Sequence, residues 1–350
     1  MKTNKTKTPT KRMTTIPSQI QQSMYGFMMS HVLFIGDELG IFDEIIQGQV
    51  SSIEKLAQSV EVHPQALERL VLAALAMGLI EQKDGAYEIP QHLRPFLQKN
   101  SSEYCGEAFS HFREVSTSTF LSLKEGLREN KPQWQQIFSN TQDYSPFTEL
   151  YKDSQRLENF LSSMWGMGYA PAKELVGKYS LDRYSTLVDV GGGSGSFAIA
   201  ALETYPSLKA IVFDLPAVAE YLANKAIEHG ASARLQFVAG DFFQDELPKG
   251  DVYVLGYILS DWNRKDGSKL LNKIYNQLPK GGLLLVLEKL FNENKNGPIE
   301  TAMMNLAMLL ETWGQHYSGS EYIQWLQEIG FQDCQVVRSS GEKHMVVGIK

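Results

Sequence analysis

Leu187-Val188-Asp189-Val190-Gly191-Gly192-Gly193-Ser194-Gly195-Ser196 is the stretch on which the fold turns. Thr186 to Val190 is an apolar strand, and the glycines after it permit backbone conformations and a close ligand approach that a Cβ would forbid. Phe197 to Thr204 then reads as a helix, whose N-terminus is a natural seat for a ligand. NAD, FAD and S-adenosylmethionine sites all use such a turn, so the loop alone does not choose among them. It is not a P-loop, because no Gly-Lys-Ser/Thr follows, and it departs from the NAD fingerprint at Ser196, where a third glycine belongs.

Outward from the loop, strands and helices alternate. Leu208 to Asp214, Leu235 to Ala239, Asp251 to Leu255 and Gly282 to Glu288 read as strands, and Gly267 to Gln277 as a helix between two of them. The alternation predicts an α/β, doubly wound, mostly parallel Rossmann-like sheet over residues 181–350. A last helix near Ser320 to Ile329 precedes Phe331 to Arg338 and Lys343 to Ile349, which predict an antiparallel terminal hairpin.

Residues 17–105 have a different texture. Ser51-Ser52-Ile53-Glu54 places an N-cap before an apolar-periodic run, and His63-Pro64 opens a second helix that ends at Gly78. Leu79 to Ile89 reads as two short strands about Asp84-Gly85, so helix, helix and hairpin form a winged-helix pattern. The second helix carries Arg69 as its only basic residue beside Leu67, Leu70, Val71, Leu72, Leu75 and Met77, which suits burial or dimerisation better than DNA. Residues 106–180 are helical, with breaks at Lys131-Pro132 and Ser145-Pro146, and are expected to link the domains and wall a substrate pocket.

Composition narrows the partners. The 350 residues carry 33 Lys and Arg against 40 Asp and Glu, a net charge of −7 without a basic stripe, so nucleic acid is a poor partner and a small molecule a better one. Residues 1–16 are basic and expected to be a disordered tail. Met24 to Ile35 is interrupted by Ser30 and His31 and too short to span a bilayer, so it is expected to be a buried or partner-packed helix and no membrane is expected. Cys105 and Cys334 have no Cys or His at metal-ligand spacing, so no metal site is expected and a cytoplasmic location fits.

Two acids separate the nucleotide options. Asp214 ends the second strand, where a carboxylate accepts hydrogen bonds from ribose hydroxyls. Asp241, in Gly240-Asp241-Phe242-Phe243, ends the third strand at the same edge and suits an adenine amine, with Phe242 against the ring. A second acid there favours S-adenosylmethionine over NAD.

The motifs at Leu187 to Gly195, Phe213 to Pro216, Gly240 to Phe243, Ile258 to Trp262 and Pro279 to Gly282 resemble those of class I S-adenosylmethionine-dependent O-methyltransferases. Among these the chain is similar to the caffeate and hydroxyindole (acetylserotonin) O-methyltransferase group and its bacterial secondary-metabolite relatives, from about residue 20 onward. The resemblance implies cofactor contacts from Tyr151, Gly191, Gly193, Asp214, Leu215, Gly240, Asp241, Phe242 and Tyr257. It implies an acceptor wall from Phe160, Met164, Trp262, Met304, Asn305 and Met308, a homodimer through the N-terminal domain, and S-adenosylhomocysteine as product. The acceptor it implies is an oxygen of a small aromatic or polyketide-like metabolite.

One position departs from that group, whose His-Asp-Trp triplet supplies a base for the acceptor hydroxyl. Here the chain reads Ser260-Asp261-Trp262, and a serine hydroxyl takes no proton at neutral pH without a base beside it. Glu288 could orient a base or act as one if burial raised its pKa. His316 falls where the group often carries a glutamate, so the imidazole can act from the opposite wall. Asp261 can hold the acceptor, and an already ionised acceptor would need no base at all. Ser260 also leaves open C-methylation, or hydroxylase- or pericyclase-like chemistry with the same cofactor.

Overall fold

The computed structural model describes residues 16–48, 50–101, 103–133, 147 and 150–350. Residues 1–15 of the expected tail and the Ser145-Pro146 break lie outside them. The chain divides into two compact units, residues 1–101 and 102–350.

The first unit is built from helices Ser18–Glu38, Ile41–Gln47, Ile53–Ser59 and Pro64–Ala76, strands β1 (Glu81–Lys83) and β2 (Ala86–Glu88), and a short helix Arg94–Leu97. Ser52 caps its helix as expected, its Oγ accepting from the Lys55 amide at 3.3 Å. Between β1 and β2, Asp84 and Gly85 both take positive φ, 51° and 82°, the geometry that joins antiparallel strands with two residues. Ile41, Phe42, Leu56, Leu67, Val71, Ala74, Ile80 and Ile89 form its buried centre. The first helix is not buried in the protomer, for Met24, Tyr25, Phe27, Met28 and Met29 are all exposed. No helix of the described residues is long and apolar enough to cross a membrane.

The second unit begins with helix Gly106–His111, which passes through a π-turn at Phe112–Ser116 into helices Thr117–Phe120 and Leu123–Glu129. The long helix Ser154–Lys178 follows, capped by Asp153, whose Oδ1 accepts from the Gln155 and Arg156 amides at 3.0 Å. The sheet comprises β3 (Thr186–Val190), β4 (Lys209–Asp214), β5 (Leu235–Ala239), β6 (Val252–Gly256), β7 (Leu283–Lys289), β8 (Gln332–Val337) and β9 (Lys343–Ile349). Its order is β5-β4-β3-β6-β7-β9-β8, with β3 to β7 parallel and β9 antiparallel to both β7 and β8.

Side-chain alternation sends Leu187, Val212, Val254, Leu285 and Val347 to one face, with helices Ser154–Lys178, Ser196–Thr204 and Ala219–Glu228. Val188, Phe213, Tyr253, Val286 and Val346 go to the other, with helices Arg264–Gln277 and Gly319–Ile329. Both faces are covered, which is why the inner strands read as near-continuous apolar runs. Since β3 lies between β4 and β6, the connections leaving β3 and β6 part to opposite sides and open a crevice at their carboxyl ends.

Candidate active site

The glycine loop leaves β3 into that crevice. Gly191, Gly193 and Gly195 take φ of 65°, 50° and 73°, a left-handed backbone that side chains resist. A Cβ on Gly191 would lie 2.5 Å from Ile258 Cδ1 and 3.4 Å from the Phe242 ring. Asp214, 7% exposed, ties the loop to β4: Oδ2 accepts from the Gly193 amide and Oδ1 from the Leu215 amide, both at 2.7 Å. Burial pushes its carboxyl up to about 6 against those two bonds. Each oxygen retains a lone pair for a second donor, which is what a ribose diol supplies.

Asp241 stands two residues past the end of β5 rather than at the strand end, because Gly240 has already turned, its amide donating to the Asp214 carbonyl at 2.9 Å. The Asp241 carboxylate accepts from the Phe243 amide at 2.8 Å and from Gln244 Nε2 at 2.9 Å, so it shapes its own turn. Phe242, Phe243 and Trp262 pack edge to face, with Trp262 4.7 Å from Phe243 and 6.0 Å from Phe242. They line a surface cavity of about 320 Å³ with Lys273. Trp262, expected on the acceptor wall, is thus brought to the Asp241 turn.

At the end of β6, Tyr257 is a non-glycine residue at φ 57°, a costly conformation that tends to mark functional sites. The Lys343 Nζ lies 4.1 Å from the centroid of its ring. Lys343 is 5% exposed, and Asp189 on β3 is 3% exposed. Burial pushes Asp189 up to about 7, opposed by Lys343, and lowers Lys343 to about 8, opposed by Asp189 and Glu288.

The connection after β6 carries Ser260, 2% exposed, over Glu288 at the end of β7. The Ser260 amide donates to Glu288 Oε1 at 3.1 Å, while Oε2 has no hydrogen-bond partner and faces His316 Nδ1, itself unpartnered, at 3.9 Å. Gly314 has no room for a side chain against the Ser260 carbonyl, so the His316 turn presses directly on the Ser260 connection. Asn305 Oδ1 fixes that turn by accepting from the His316 amide at 2.8 Å. Burial raises Glu288 to about 7 and lowers His316 to about 4. Asp261 is held well above the carboxylate range by burial and by Glu288 and Glu311. Of the expected catalytic residues, Glu288, His316, Asp261 and Ser260 therefore form one cluster.

Tyr151 joins the two halves of the site. Its hydroxyl is driven far above its ordinary value by burial, then by Asp214 and Asp261. Phe160 lies 6.3 Å from the Tyr151 ring and 6.0 Å from His111. Met164 is half-buried on the same helix; Met304, Asn305 and Met308 share helix Ile299–Glu311, with Met308 buried.

Three residues not anticipated at the site are Lys343, Glu311 and His111. Glu311 is buried, accepts from Ser116 Oγ at 3.1 Å and Thr119 Oγ1 at 3.5 Å, and is raised to about 7 by burial. His111, expected to be structural, sits beside Phe160 and is lowered to about 4 by burial.

The buried Asp214 carboxylate, the side-chain-free glycine loop and the aromatic turn at Phe242 share the chemistry of a nucleoside cofactor such as S-adenosylmethionine. A doubly wound sheet with that loop at its switch point and an antiparallel hairpin at its edge defines the class of S-adenosylmethionine-binding methyltransferases. The chain belongs to the O-methyltransferase family, matching the O-methyltransferase domain over residues 120–332 and the O-methyltransferase dimerisation domain over residues 21–92. It is 29% identical over 337 residues to the 3-hydroxy-5-methyl-1-naphthoate 3-O-methyltransferase of Streptomyces sahachiroi, covering 95% of each chain. It is 28% identical over 340 residues to the acetylserotonin O-methyltransferase of Gallus gallus, covering 95% of this chain and 97% of that one. The structure of human N-acetylserotonin methyltransferase in complex with S-adenosylmethionine matches with a TM-score of 0.87 at 27% identity, over 95% of this chain and 96% of that one. The protein is an S-adenosylmethionine-dependent O-methyltransferase.

Proposed function

We propose that the enzyme methylates a phenolic hydroxyl on a small fused-ring aromatic metabolite, with His316 taking the hydroxyl proton and Glu288 orienting the imidazole. The bound cofactor supplies an electrophilic methyl group on a sulfonium. What remains for the protein is to hold the acceptor oxygen in line and remove its proton as the bond forms.

The observation that carries this reading is the 3.9 Å approach of His316 Nδ1 to Glu288 Oε2, two buried atoms without a hydrogen-bond partner. Burial and then the Lys289 charge keep His316 neutral at working pH, and an ionised Glu288 3.9 Å away would favour the imidazolium that forms on proton transfer. Ser260, donating its amide to Glu288, holds that carboxylate in place rather than acting as the base. Asp261, whose carboxyl burial holds well above the usual carboxylate range, is suited in its protonated form to donate a hydrogen bond to the acceptor. The acceptor class is supported by the naphthoate and acetylserotonin substrates named for the relatives, both hydroxylated fused rings. Phe160, His111, Met164, Met304 and Met308 supply aromatic and deformable apolar surface for such a ring.

We further propose that Tyr151, Gly191, Gly193, Asp214, Leu215, Gly240, Asp241, Phe242 and Tyr257 form the cofactor site, and that residues 106–180 contribute to the acceptor pocket. The dimerisation match and the exposed apolar side of helix Ser18–Glu38 support a homodimer through residues 17–105. A chain of 350 residues with two cysteines, Cys105 and Cys334, suits a reducing cytoplasm.

The test uses isotope-labelled S-adenosylmethionine with hydroxynaphthoates and hydroxyindoles, comparing wild type with His316→Gln. The expected result is a fall in kcat of about 10²- to 10⁴-fold on un-ionised phenols, with S-adenosylhomocysteine affinity kept and much of the rate recovered on acidic nitrophenols. Wild-type kcat in the variant would refute the base assignment, and turnover without S-adenosylhomocysteine would refute methyl transfer.

A further inference from the structure

Methyl transfer as derived above leaves the ammonium of Lys343 unused. Lys343 opens β9, and alternation puts it on the face of Met345 and Val347, against the core beneath helices Ser154–Lys178 and Ser196–Thr204. A buried ammonium is costly unless an opposite charge meets it closely. Asp189 and Glu288 act on it electrostatically, yet neither forms an ion pair or hydrogen bond with it.

What surrounds Nζ shows where it points. It lies over the Tyr257 ring, 3.9 Å from where a Cβ on Gly256 would stand and 3.7 Å from the same position on Gly168. The Gly168 position is also 2.7 Å from Oγ of Ser196, the first residue of the helix that the glycine loop opens. A helix N-terminus and an ammonium with no ion-pair partner at contact distance therefore converge beside the loop, and both favour an anion.

The cofactor carries one anionic group, the carboxylate of its amino-acid arm. Strand order β4-β3-β6 sets Asp214 on one side of the loop and Tyr257 with Lys343 on the other. Two strand spacings separate them, about 10 Å, a span the arm covers once the ribose is at Asp214.

We propose that Lys343 is a cofactor-binding residue, its ammonium pairing with the amino-acid carboxylate of S-adenosylmethionine. The proposal rests on the glycine-loop reading of the cofactor site. It assigns the carboxylate contact to the antiparallel terminal strand, outside the sequence motifs that mark the nucleotide. The alternative is that Lys343 only balances Asp189 within the fold.

Calorimetric titration with S-adenosylhomocysteine and with 5′-methylthioadenosine, which keeps the nucleoside and sulfur but lacks the amino-acid arm, separates the two. In Lys343→Met, S-adenosylhomocysteine should bind about 10- to 100-fold more weakly, while methylthioadenosine binds as to wild type. Unchanged affinity for S-adenosylhomocysteine, or equal loss for both ligands, overturns the proposal. Failure of wild type to bind either ligand would instead remove the cofactor reading beneath it. Should Lys343→Met not fold, Lys343→Met with Asp189→Asn, which removes the opposing acid as well, is compared with Asp189→Asn alone by the same two ligands.

Discussion

Replacing Glu311 by glutamine isolates one buried carboxyl whose proton is linked to folding. Glu311 is 8% exposed, accepts from Ser116 and Thr119, and has its carboxyl raised from 4.5 to about 7 by burial. Between those two values the folded protein holds a proton that the unfolded chain has released. The stabilising contribution is therefore complete below about pH 4.5, declines as pH rises through about 7, and is constant above. Between pH 5.5 and 8 the decline amounts to about 2 kcal/mol, at about 1.4 kcal/mol per pKa unit. Glutamine keeps the shape and can still accept from Ser116 and Thr119 but does not titrate. Urea denaturation of both proteins at pH 5.5 and 8.0, followed by a probe of the second unit, should give a loss about 2 kcal/mol larger in wild type. Equal losses in the two proteins would refute the reasoning and imply that Glu311 is ionised throughout, with an unrecognised cation beside it.

Two further predictions concern the loop and the assembly. Gly191→Ala forces a left-handed alanine, at about 1 kcal/mol or more, and presses its Cβ to 2.5 Å from Ile258 Cδ1. Lower stability and a loss of S-adenosylhomocysteine affinity should both appear, by thermal denaturation and calorimetry, and a variant matching wild type in both would contradict the assigned role. Phe27→Glu with Met28→Glu puts charge on the exposed apolar side of the first helix, where these residues are 61% and 51% exposed. Sedimentation equilibrium should give a dimer for wild type and monomers for the variant, and an unchanged dimer would move the interface elsewhere.

Much of the second unit was legible because buried parallel strands leave apolar runs bounded by glycines and acids. Thr186–Val190, Leu235–Ala239 and Lys343–Ile349 fall on the expected residues; Lys209–Asp214 differs by one residue at one end, and Val252–Gly256, Leu283–Lys289 and Gln332–Val337 differ by one residue at each end. The burial of Asp214 at the loop was legible too, since an acid closing an apolar strand needs donors to meet it, and here the Gly193 and Leu215 amides do so. Lys343 was missed although its place before Met345 and Val347 put it on an inward face; nothing in the sequence says that this lysine, unlike Lys289, is enclosed. Glu311 sits one helical turn beyond Ala307, a weaker sign of the same kind. His111 escaped because it ends helix Gly106–His111 just before a π-turn at Phe112–Ser116 that has no local sequence signature. Trp262 differed because the chain turns between Ser260 and the helix that starts at Arg264, which carries its ring to Phe243.

The central claim is that the loop from Gly191 to Gly195, tied to Asp214, is the S-adenosylmethionine site. Calorimetric titration of wild type and Asp214→Ala with S-adenosylmethionine and S-adenosylhomocysteine tests it most directly. The variant loses the proposed ribose acceptor and the bonds that hold the Gly193 and Leu215 amides, both charge-assisted and 2.7 Å long. Binding to wild type that weakens at least tenfold in the variant is the predicted result. No binding to wild type, or equal binding to both proteins, would contradict it.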